Sequence, residues 1–414
     1  MTRNWAGTYA YTAPRIVPVW SEADVLRELA GTEGRVHALG TRHSFTDLPD
    51  TTGTLLDLAG LEGGFALGDG TVRVAAGTRY GVLAAWLEER GLALHNLGSL
   101  PHISVAGATA TGTHGSGDRN GVLTTAVRGI RFADADGEVR EVRRGDADFD
   151  ALAVGLGAYG VMLSVDIETQ PSYRMRQDVY RGVSWDAALA ALDAVTGAGY
   201  SVSVFTRWEE ESIGWVWVKS RIDSDDQPVP ADLLDGVLDV DAEPLGELAD
   251  VTELRGVPGP WMLRLPHFRL DGTPSFGDEI QSEYFVAREH APGALRAVRD
   301  LGDAIRPLLF VSELRTAAAD ELWLSPASGQ DVVAIHFTWR NDPAGVATVL
   351  PRIEESLRMF GARPHWGKRH GFDRAAIERV HPRLADARAV YERLDPRGRF
   401  LNVHLERVGV REER

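Results

Sequence analysis

The sequence predicts an α+β fold made of two domains. The chain has 414 residues, which is too many for one ordinary hydrophobic core. Strand-like and helix-like periodicities are mixed through the first 170 residues, with glycine-rich turns between them. The composition changes after Pro171, so we place the boundary between the two domains at that residue.

The first domain begins with short alternating elements. The predicted strands are, in order, residues 16–19, 36–39, 54–58 and 71–76. Ser21 is predicted to cap a helix, because its hydroxyl can accept a hydrogen bond from the first turn, which also carries acidic residues. A second helix is predicted at residues 80–90 and ends at Gly91. The apolar face of this second helix consists of Val82, Leu83, Trp86 and Leu87.

The end of the first domain contains a hairpin and a glycine-rich turn. Residues 127–132 and 138–142 flank the sequence Asp-Ala-Asp-Gly at 134–137, which is typical of a β-hairpin. Residues 155–160, Gly-Leu-Gly-Ala-Tyr-Gly, match the dinucleotide fingerprint GxGxxG. That motif requires a strand before it and a helix after it. Here a helix is predicted at 148–154 and a strand at 161–167, so we reject a Rossmann fold.

Two further glycine-rich stretches predict a cofactor site. Residues 40–45, Gly-Thr-Arg-His-Ser-Phe, place His43 in a turn directly after a predicted strand. Residues 104–117 form a longer run of glycine and other small residues. Glycine lets backbone N–H groups approach a ligand, and successive N–H groups form concave anion sites. The first stretch alone also fits a plain turn with a surface histidine, but both stretches together favour a large phosphate-bearing cofactor.

These stretches resemble the flavin-binding motifs of the vanillyl-alcohol oxidase family, and within it they are most similar to the alditol oxidases. The resemblance implies FAD bonded covalently to His43, in an FAD-binding domain joined to a cap domain with a mixed or antiparallel sheet. Many members carry small residues where this chain has Thr41-Arg42, so we hypothesise that Arg42 alters the basicity of His43. The remaining cofactor-binding residues implied by the resemblance are Gly40, Thr41, Arg42, Ser44, Phe45, Ser104, Gly107, Thr111, Gly112, His114, Gly115, Gly157, Gly160 and Val161.

The resemblance also implies how the chain is divided. Residues 395–402, Asp-Pro-Arg-Gly-Arg-Phe-Leu-Asn, resemble the C-terminal signature of the family, where the chain returns to the FAD-binding domain. We therefore expect an FAD-binding domain of residues 1–170 completed by 395–414, and a cap domain of residues 171–394.

Two features of the second half have ordinary structural interpretations. Residues 223–253 contain eleven acidic residues and no basic one, which predicts an exposed loop or surface helix. Four tryptophans are interpreted as core or pocket wall: Trp208, Trp215, Trp217 and Trp261.

Three polar clusters in the second half carry the candidate chemistry. Residues 312–315 are Ser-Glu-Leu-Arg, residues 335–340 are Ile-His-Phe-Thr-Trp-Arg, and residues 365–368 are His-Trp-Gly-Lys. In a strand, residues two apart share a face, so Glu313 lies beside Arg315 and His336 beside Thr338. Each cluster alone fits an ordinary exposed strand or ion pair.

Together the three clusters resemble the substrate site of the alditol oxidases, where they converge over the flavin with the serine at position 104. We expect His336 to accept the hydroxyl proton of the substrate as the catalytic base. Lys368 is the second catalytic residue and stabilises the negative charge that develops during the reaction. The substrate-binding residues are Ser104, Glu313, Arg315 and Thr338. A neutral His336 should make activity rise as the pH passes its pKa, near 6.5 if unperturbed.

Composition limits the partners. A formal net charge of −16 disfavours nucleic acid and anionic membranes and fits a neutral small substrate. The absence of cysteine excludes disulfides, thiolate metal sites and a flavin attached through sulfur, and we expect no metal. The N-terminus has no signal-peptide pattern and no apolar run reaches the length of a membrane span, so we expect a cytoplasmic, monomeric protein.

The sequence thus favours FAD-dependent oxidation of the terminal alcohol of an alditol such as xylitol or sorbitol to an aldose, with oxygen reduced to hydrogen peroxide. An aldonolactone oxidase or dehydrogenase is the nearest alternative, because that group shares the histidine-linked flavin and an H-W-x-K turn. A flavin-free carbohydrate-binding protein is the alternative from another class. The intact His43 and the full set of candidate catalytic groups argue against it.

Overall fold

The computed structural model describes residues 2–61, 63–209, 211–244 and 250–413. The elements of the N-terminal part are β1 (Arg15–Pro18), α1 (Glu22–Gly31), β2 (Val36–Leu39), β3 (Thr54–Asp57), β4 (Phe65–Leu67), β5 (Thr71–Ala75), α2 (Tyr80–Glu88), β6 (Leu92–Ala93), α3 (Val105–Ala110), β7 (Val127–Ala133), β8 (Val139–Arg143), α4 (Phe149–Leu152) and β9 (Val161–Glu168). They build a parallel sheet of order β1-β3-β2 and a five-stranded sheet of order β4-β5-β9-β7-β8. The strands and the hairpin predicted here are confirmed to within a few residues.

The middle of the chain forms one large sheet. Its elements are β10 (Gln170–Pro171), β11 (Arg174–Arg181), α5 (Trp185–Ala190), α6 (Leu192–Thr196), β12 (Ser201–Thr206), β13 (Trp215–Ile222), β14 (Asp232–Leu233), β15 (Gly236–Leu238), β16 (Gly259–Pro260), β17 (Glu279–Ala287), α7 (Ala291–Arg299), α8 (Gly302–Ile305), β18 (Leu309–Ala317), β19 (Val332–Arg340), α9 (Pro343–Arg358) and β20 (Arg363–Pro364). The ten-stranded sheet has the order β14-β15-β11-β13-β12-β18-β19-β17-β20, with β16 paired to β11. Neighbouring strands of this sheet are antiparallel.

The C-terminal helices are α10 (Arg374–Val380), α11 (Leu384–Leu394) and α12 (Val403–Arg407). The segment before α12 packs on the N-terminal part: Asn402 donates to the carbonyl oxygens of Leu48 and Asp50, at 2.8 and 2.9 Å. Phe400 and Leu401 belong to the same buried cluster as Val36. The chain therefore returns to its N-terminal part, as the resemblance implied.

Two large hydrophobic clusters make up most of the core. The first unites apolar residues of the N-terminal part with those of the C-terminal segment. The second lies between the main sheet and its helices and includes Val333, Ile335 and Phe337 of β19. The domain boundaries at 170 and 394 stay a prediction; α10 and α11, which end by residue 394, also contribute Ile377, Leu384 and Tyr391 to the first cluster.

Local predictions met mixed outcomes. Ser21 caps α1 through a capping box with Asp24, as predicted. The apolar face predicted for α2 is partly wrong, because Val82 is 46% exposed while Leu83 and Leu87 are buried against the core. Residues 155–160 lie between α4 and β9, which supports the rejection of a Rossmann fold.

In the second half, the acidic stretch and the four tryptophans can be compared with their predicted environments. Most described residues of the acidic stretch 223–253 are exposed or half-buried, and β14 and β15 lie within it; residues 245–249 fall outside the described part. Trp208, Trp217 and Trp261 are buried and Trp215 is half-buried, and none of the four lines the cleft described below.

Candidate active site

A deep cleft runs between the turns of the N-terminal part and the polar face of the main sheet. It encloses about 1730 Å³ including its open mouth. The predicted site residues that line it are Gly40, Thr41, Arg42, His43, Ser44, Phe45, Ser104, Gly107, Thr111, His114, Gly157, Gly160, Glu313, Arg315, His336, Thr338 and Lys368. The fold thus brings residues that are more than 300 positions apart into one space.

The turn after β2 presents His43 to the cleft. Its ring stacks on Trp5 with a centroid distance of 5.3 Å, and its Nδ1 lies 3.1 Å from Thr41 Oγ1. Arg42 adopts a left-handed backbone with φ of 66°. The amide N–H groups of residues 41–44 have no hydrogen-bond partner within the described part of the chain. Such a run of free N–H groups is suited to an anion.

The protonation of His43 does not depend on Arg42 in the way the sequence suggested. The Arg42 guanidinium forms an ion pair with Asp57. Burial, His102 and Arg79 lower the pKa of His43 to about 3. The imidazole is therefore neutral at physiological pH, and the cations that act on it come from other segments.

Ser104 lies where the two glycine-rich stretches meet. Its N–H donates to Thr41 Oγ1 at 2.9 Å. A Cβ at Gly40 would lie 2.5 Å from Ser104 Oγ, and a Cβ at Gly107 would lie 2.8 Å from the same atom. Only glycine allows this approach at both positions. The Ser104 hydroxyl itself has no hydrogen-bond partner among the residues described, so it is free to bind a ligand.

The third glycine-rich turn closes the cleft from the side of β9. Gly157 has φ of 72°, and a Cβ there would lie 2.7 Å from the ring of His37, which also lines the cleft. The pKa of His37 is lowered to about 4, chiefly by burial. The Nε2 atom of His37 is buried without a partner in the described structure.

Three predicted cofactor residues lie outside the cleft lining: Gly112, Gly115 and Val161. Gly112 has φ of 63°, and a Cβ there would lie 2.8 Å from Pro326 Cδ. Gly115 packs tightly against Asn96, to whose Oδ1 a Cβ would lie 2.5 Å. Val161 begins β9 and is fully buried in the first hydrophobic cluster. The local packing of the fold explains these residue types, and their contact with a cofactor stays a prediction.

The floor of the cleft is a row of charged residues on three adjacent strands. His336 of β19 pairs in register with Glu283 of β17 on one side and with Glu313 of β18 on the other. The next row consists of Thr338 with Gln281 and Val311. The opposite face of β19 is apolar and packs into the second hydrophobic cluster. The predicted placement of His336 and Thr338 on one face of this strand is confirmed.

Glu283 is a central residue of the site that the sequence analysis missed. Its Oε2 lies 2.7 Å from Lys368 Nζ, and its Oε1 lies 2.9 Å from Arg315 Nη2 and 3.2 Å from His114 Nε2. Burial raises the pKa of Glu283, but Lys368, His114 and Arg315 outweigh it and hold that pKa well below the usual range. The alternation of Glu279, Gln281 and Glu283 along β17 was a signal of the same kind as that in β19.

The two predicted catalytic residues, Lys368 and His336, contact each other directly. Lys368 Nζ lies 2.9 Å from His336 Nδ1, and the Nε2 of that histidine lies 3.0 Å from Thr338 Oγ1. Because an ammonium only donates, Nδ1 is the acceptor and the imidazole proton is assigned to Nε2. Burial and the neighbouring Lys368 hold the pKa of His336 well below its usual value. Burial also lowers the pKa of Lys368, while Glu283 opposes that shift.

The catalytic turn and the His43 turn are tied together. Phe45 N–H donates to the carbonyl oxygen of Gly367 at 2.8 Å, and the Ser44 hydroxyl donates to the same oxygen at 3.2 Å. Trp366 points away from the cleft and donates to the Leu324 carbonyl at 2.8 Å. Lys368 is therefore held in fixed relation to His43 by backbone contacts.

A second buried cluster beside Glu313 was also missed. His267 Nε2 lies 2.6 Å from Glu313 Oε1, and Lys219 Nζ lies 3.0 Å from His267 Nδ1. His267 lies in the loop before β17, where no periodic pattern pointed to it. Lys219 lies in β13 directly after the buried apolar residues Val216, Trp217 and Val218, so only the fold reveals that it reaches the site.

The residues present fit a flavin dinucleotide. Free N–H groups at 41–44 suit a phosphate group, and the neutral His43 ring lies in the same turn. Gly40 and Gly107 lie so close to the Ser104 hydroxyl that a side chain at either position would collide with it.

None of the helices in the described part of the chain has the length and apolar character that a membrane-spanning helix requires.

Comparison with known proteins adds two family matches and several relatives. The FAD binding domain family matches residues 21–143, and the D-arabinono-1,4-lactone oxidase family matches residues 278–408. The chain is 41% identical to alditol oxidase from Streptomyces sp. (strain IKD472 / FERM P-14339), over 97% of each protein. It is 31% identical to L-gulono-1,4-lactone dehydrogenase of Mycobacterium tuberculosis, over 98% of each. The fold matches that of cholesterol oxidase from Brevibacterium sterolicum with a TM-score of 0.77, 16% identity, and coverage of 98% of this chain and 96% of that one.

Proposed function

This chain belongs to the vanillyl-alcohol oxidase family of FAD-dependent oxidoreductases, and we propose that it oxidises the terminal primary alcohol of an alditol to the aldose. Oxygen is the proposed acceptor and is reduced to hydrogen peroxide, which balances the two electrons and two protons removed from the alcohol. Xylitol and sorbitol are the proposed substrates. FAD is proposed to be attached covalently through His43.

The observation that carries the proposal is the charged row on the cleft floor. Glu283, His336 and Glu313 lie side by side on neighbouring strands, and Arg315 and Lys368 bring positive charge to the two carboxylates. A polyol has a hydroxyl on every carbon, and each hydroxyl both donates and accepts a hydrogen bond. An apolar alcohol would leave such buried polar groups unpaired, so the site disfavours it.

FAD, when bound, supplies the acceptor for the hydride that leaves the reacting carbon. The chain's own contribution begins with the contact between Lys368 and His336. We place the substrate hydroxyl within hydrogen-bond reach of both Lys368 Nζ and His336 Nδ1, where it replaces the direct 2.9 Å contact between these two atoms. Lys368 then donates to the substrate oxygen, and Nδ1 accepts the hydroxyl proton.

The charges around His336 support this transfer. A proton on Nδ1 makes the imidazole cationic, and Glu283 Oε1 lies 4.0 Å from that atom. Glu313 flanks the same ring from β18. Two carboxylates therefore stabilise the protonated base after the transfer, while Lys368 keeps it neutral before the transfer.

Covalent attachment through His43 rests on the state of that ring. A pKa of about 3 leaves the imidazole unprotonated and able to form a bond to carbon. Its stacking on Trp5 fixes the ring plane, which positions one nitrogen for a single direction of attack.

An aldonolactone is the second candidate substrate, and the match of residues 278–408 to the D-arabinono-1,4-lactone oxidase family favours it. An aldono-1,4-lactone has fewer hydroxyls than the alditol of the same length, because one is consumed in closing the ring and the carbonyl carbon carries none, so fewer of the groups on the cleft floor would be paired. We therefore prefer the alditol.

The deciding experiment is a substrate panel with detection of hydrogen peroxide. Purified holoenzyme is assayed with xylitol, sorbitol and L-gulono-1,4-lactone under air and with an artificial acceptor under nitrogen. Peroxide from the polyols, with kcat/KM at least tenfold above that for the lactone, is the expected result. Preference for the lactone would replace the alditol assignment, and turnover only with the artificial acceptor would replace oxygen.

A further inference from the structure

In the cluster formed by Lys219, His267 and Glu313, only Glu313 takes part in the proton transfer proposed above; Lys219 and His267 have no role in it. Lys219 is fully buried, and His267 and Glu313 are each 5% exposed. The three residues come from β13, from the loop before β17 and from β18. A buried lysine that touches no substrate requires a structural reason, because burial of an ammonium is costly.

Lys219 has three acceptors. Its Nζ lies 2.6 Å from the Leu265 carbonyl oxygen, 3.0 Å from the Pro266 carbonyl oxygen and 3.0 Å from His267 Nδ1. An ammonium has three N–H donors, so this set satisfies it completely. Lys219 thereby fixes the backbone before His267 and makes Nδ1 of that histidine an acceptor.

The tautomer of His267 follows from this arrangement. With Nδ1 accepting, the proton lies on Nε2, which donates to Glu313 Oε1 at 2.6 Å. Ser203 Oγ lies 3.3 Å from the same nitrogen and is the weaker partner. Phe205 and Trp217 pack edge-on against the ring, with centroids 5.3 Å away in each case. His267 is thus held both in its plane and in its protonation state.

One oxygen of Glu313 remains available. His267 and Arg315 Nε both lie on the Oε1 side, at 2.6 and 3.4 Å. Oε2 has no hydrogen bond to any residue that the structure describes, and Glu313 lines the cleft. Arg315 Nε is buried and likewise has no hydrogen-bond partner there. Glu313 Oε2 is therefore an unpaired acceptor on a residue that lines the cleft, which suits a hydroxyl group of a ligand.

Glu313 lies on the opposite side of His336 from Glu283 and Lys368, so the hydroxyl that it meets is a different one from the reacting hydroxyl. We propose that Lys219 and His267 are positioning residues: Lys219 holds His267, and His267 binds Oε1 of Glu313 and so directs the other oxygen, Oε2, to a hydroxyl of the substrate beyond the reacting carbon. This inference rests on the proposed function. It assigns the selection of polyols over simple alcohols to two residues behind Glu313, of which His267 lines the cleft and Lys219 does not.

The test compares xylitol with pentan-1-ol, which keeps the five-carbon chain but has no hydroxyl beyond the reacting carbon. The readout is the ratio of kcat/KM for the two substrates, measured with flavin content and Tm for each holoenzyme. His267→Leu and Lys219→Met should each lower this ratio about tenfold or more, since a lost hydrogen bond to a charged group has at least that effect. His267→Gln is the matched variant, because its amide can still donate to Glu313, and its ratio should stay within about threefold of the wild-type value.

A double-mutant cycle separates positioning from general packing. If His267 acts through Glu313, then His267→Leu combined with Glu313→Gln should lower the ratio no further than Glu313→Gln alone. Lys219→Met combined with Glu313→Gln provides the same cycle if His267→Leu does not fold.

Four outcomes would contradict this inference or its premise. An unchanged ratio in both single variants, or a parallel loss on both substrates, overturns the positioning role while leaving the proposed function intact. Fully additive effects in the cycle overturn it as well. A wild-type enzyme that oxidises no polyol refutes the proposed function first, and the inference fails with it.

Discussion

Glu283 Oε2 lies 2.7 Å from Lys368 Nζ, and this pair is the electrostatic centre of the cleft. The Glu283 side chain is fully enclosed, and Lys368 is 14% exposed. The ammonium that we place at the reacting oxygen is therefore anchored by a carboxylate on the sheet. Removing Glu283 leaves the Lys368 ammonium without its carboxylate in a largely buried site, whereas removing Lys368 leaves Glu283 paired with Arg315 alone.

Loss of Lys368 should stop substrate oxidation. Lys368→Met removes the donor to the substrate oxygen, and loss of one preorganised donor typically costs 10²- to 10³-fold in rate. We expect anaerobic stopped-flow reduction of the flavin by xylitol to slow by at least about 100-fold. Arg369→Met, one residue further along and outside the cleft lining, is the control and should reduce at the wild-type rate. Fast reduction in Lys368→Met would assign the role to another residue.

The pH dependence should reflect a strongly perturbed histidine. The neutral form of His336 accepts the proton, so kcat/KM is high above its pKa and falls as the pH drops through it. Burial and Lys368 hold that pKa well below 6.5, which places the acidic limb below the range expected for an unperturbed histidine. We expect a flat profile between pH 6.5 and 8 and loss of the acidic limb in His336→Asn. An inflection near pH 6.5 that persists in His336→Asn would exclude His336 as the base.

Neutralising Glu283 should destabilise the protein as well as the reaction. Glu283→Gln leaves Lys368 and Arg315 without their shared carboxylate, and breaking a buried pair costs about 3–5 kcal/mol of unfolding free energy. Because the pKa of Glu283 is lowered in the folded state, its contribution is complete above the unfolded pKa near 4.3 and is lost as the pH falls further. Urea denaturation at pH 7 and pH 4 should show a smaller difference from wild type at pH 4.

The control for that measurement is Glu355→Gln on α9, where the side chain is 64% exposed and pairs with Arg358. Its unfolding free energy should stay within about 0.5 kcal/mol of wild type at both pH values. Equal losses of unfolding free energy in the two variants would show that the buried contacts of Glu283 stabilise the protein no more than an exposed ion pair does.

Arg315 should act on the substrate without affecting the cofactor. Arg315→Ala removes the donors to Glu283 and Ser99 and the free Nε beside Glu313. At about 1.5–3 kcal/mol for a lost bond to a charged group, kcat/KM on polyols should fall by one to two orders of magnitude with flavin content unchanged. Arg315→Lys keeps the charge and should recover part of the loss. Wild-type kcat/KM in Arg315→Ala would contradict the assignment.

Covalent attachment can be tested on denatured protein. Acid precipitation of the wild type should leave the flavin colour in the pellet, and a proteolytic peptide containing His43 should carry the flavin mass. His43→Ala should release its flavin to the supernatant, since the free N–H groups at 41–44 can hold the cofactor only while the protein is folded. His290→Ala, at a histidine with a 51% exposed side chain, should behave as the wild type does. Release of all flavin from the wild type would refute the covalent bond.

The sequence allowed prediction of the parts of the site that are local in the chain. The turn around His43 and the alternating faces of β18 and β19 depend on neighbours within a few residues, and both were predicted. The contact between Ser44 and Gly367 joins residues 323 positions apart, so no local pattern contains it. The resemblance to a known family supplied the expectation that these segments meet.

The contacts that the sequence analysis missed or misjudged are those of charged side chains with partners that are distant in the chain. In the sequence, Lys219 is indistinguishable from an ordinary surface lysine of a strand. Its three acceptors belong to a loop more than 40 residues later, and only the folded structure shows that this loop contacts Lys219. Glu283 lies in a strand whose residues are all buried, where a carboxylate looks unfavourable until its cationic partners are known. The effect proposed for Arg42 was misjudged for the same reason, because Asp57 on β3 takes up its charge.

The row of Glu283, His336 and Glu313 also bears on how this enzyme can diversify. Backbone hydrogen bonds of β17, β19 and β18 fix the positions in the row, whatever side chains occupy them. In the adjacent row, Gln281 and Val311 line the same cleft on either side of Thr338. Substitutions at these two positions can alter which substrates are accepted while the reacting groups stay in place. The sheet thus separates the evolution of specificity from that of catalysis, and positions 281 and 311 are natural starting points for directed evolution.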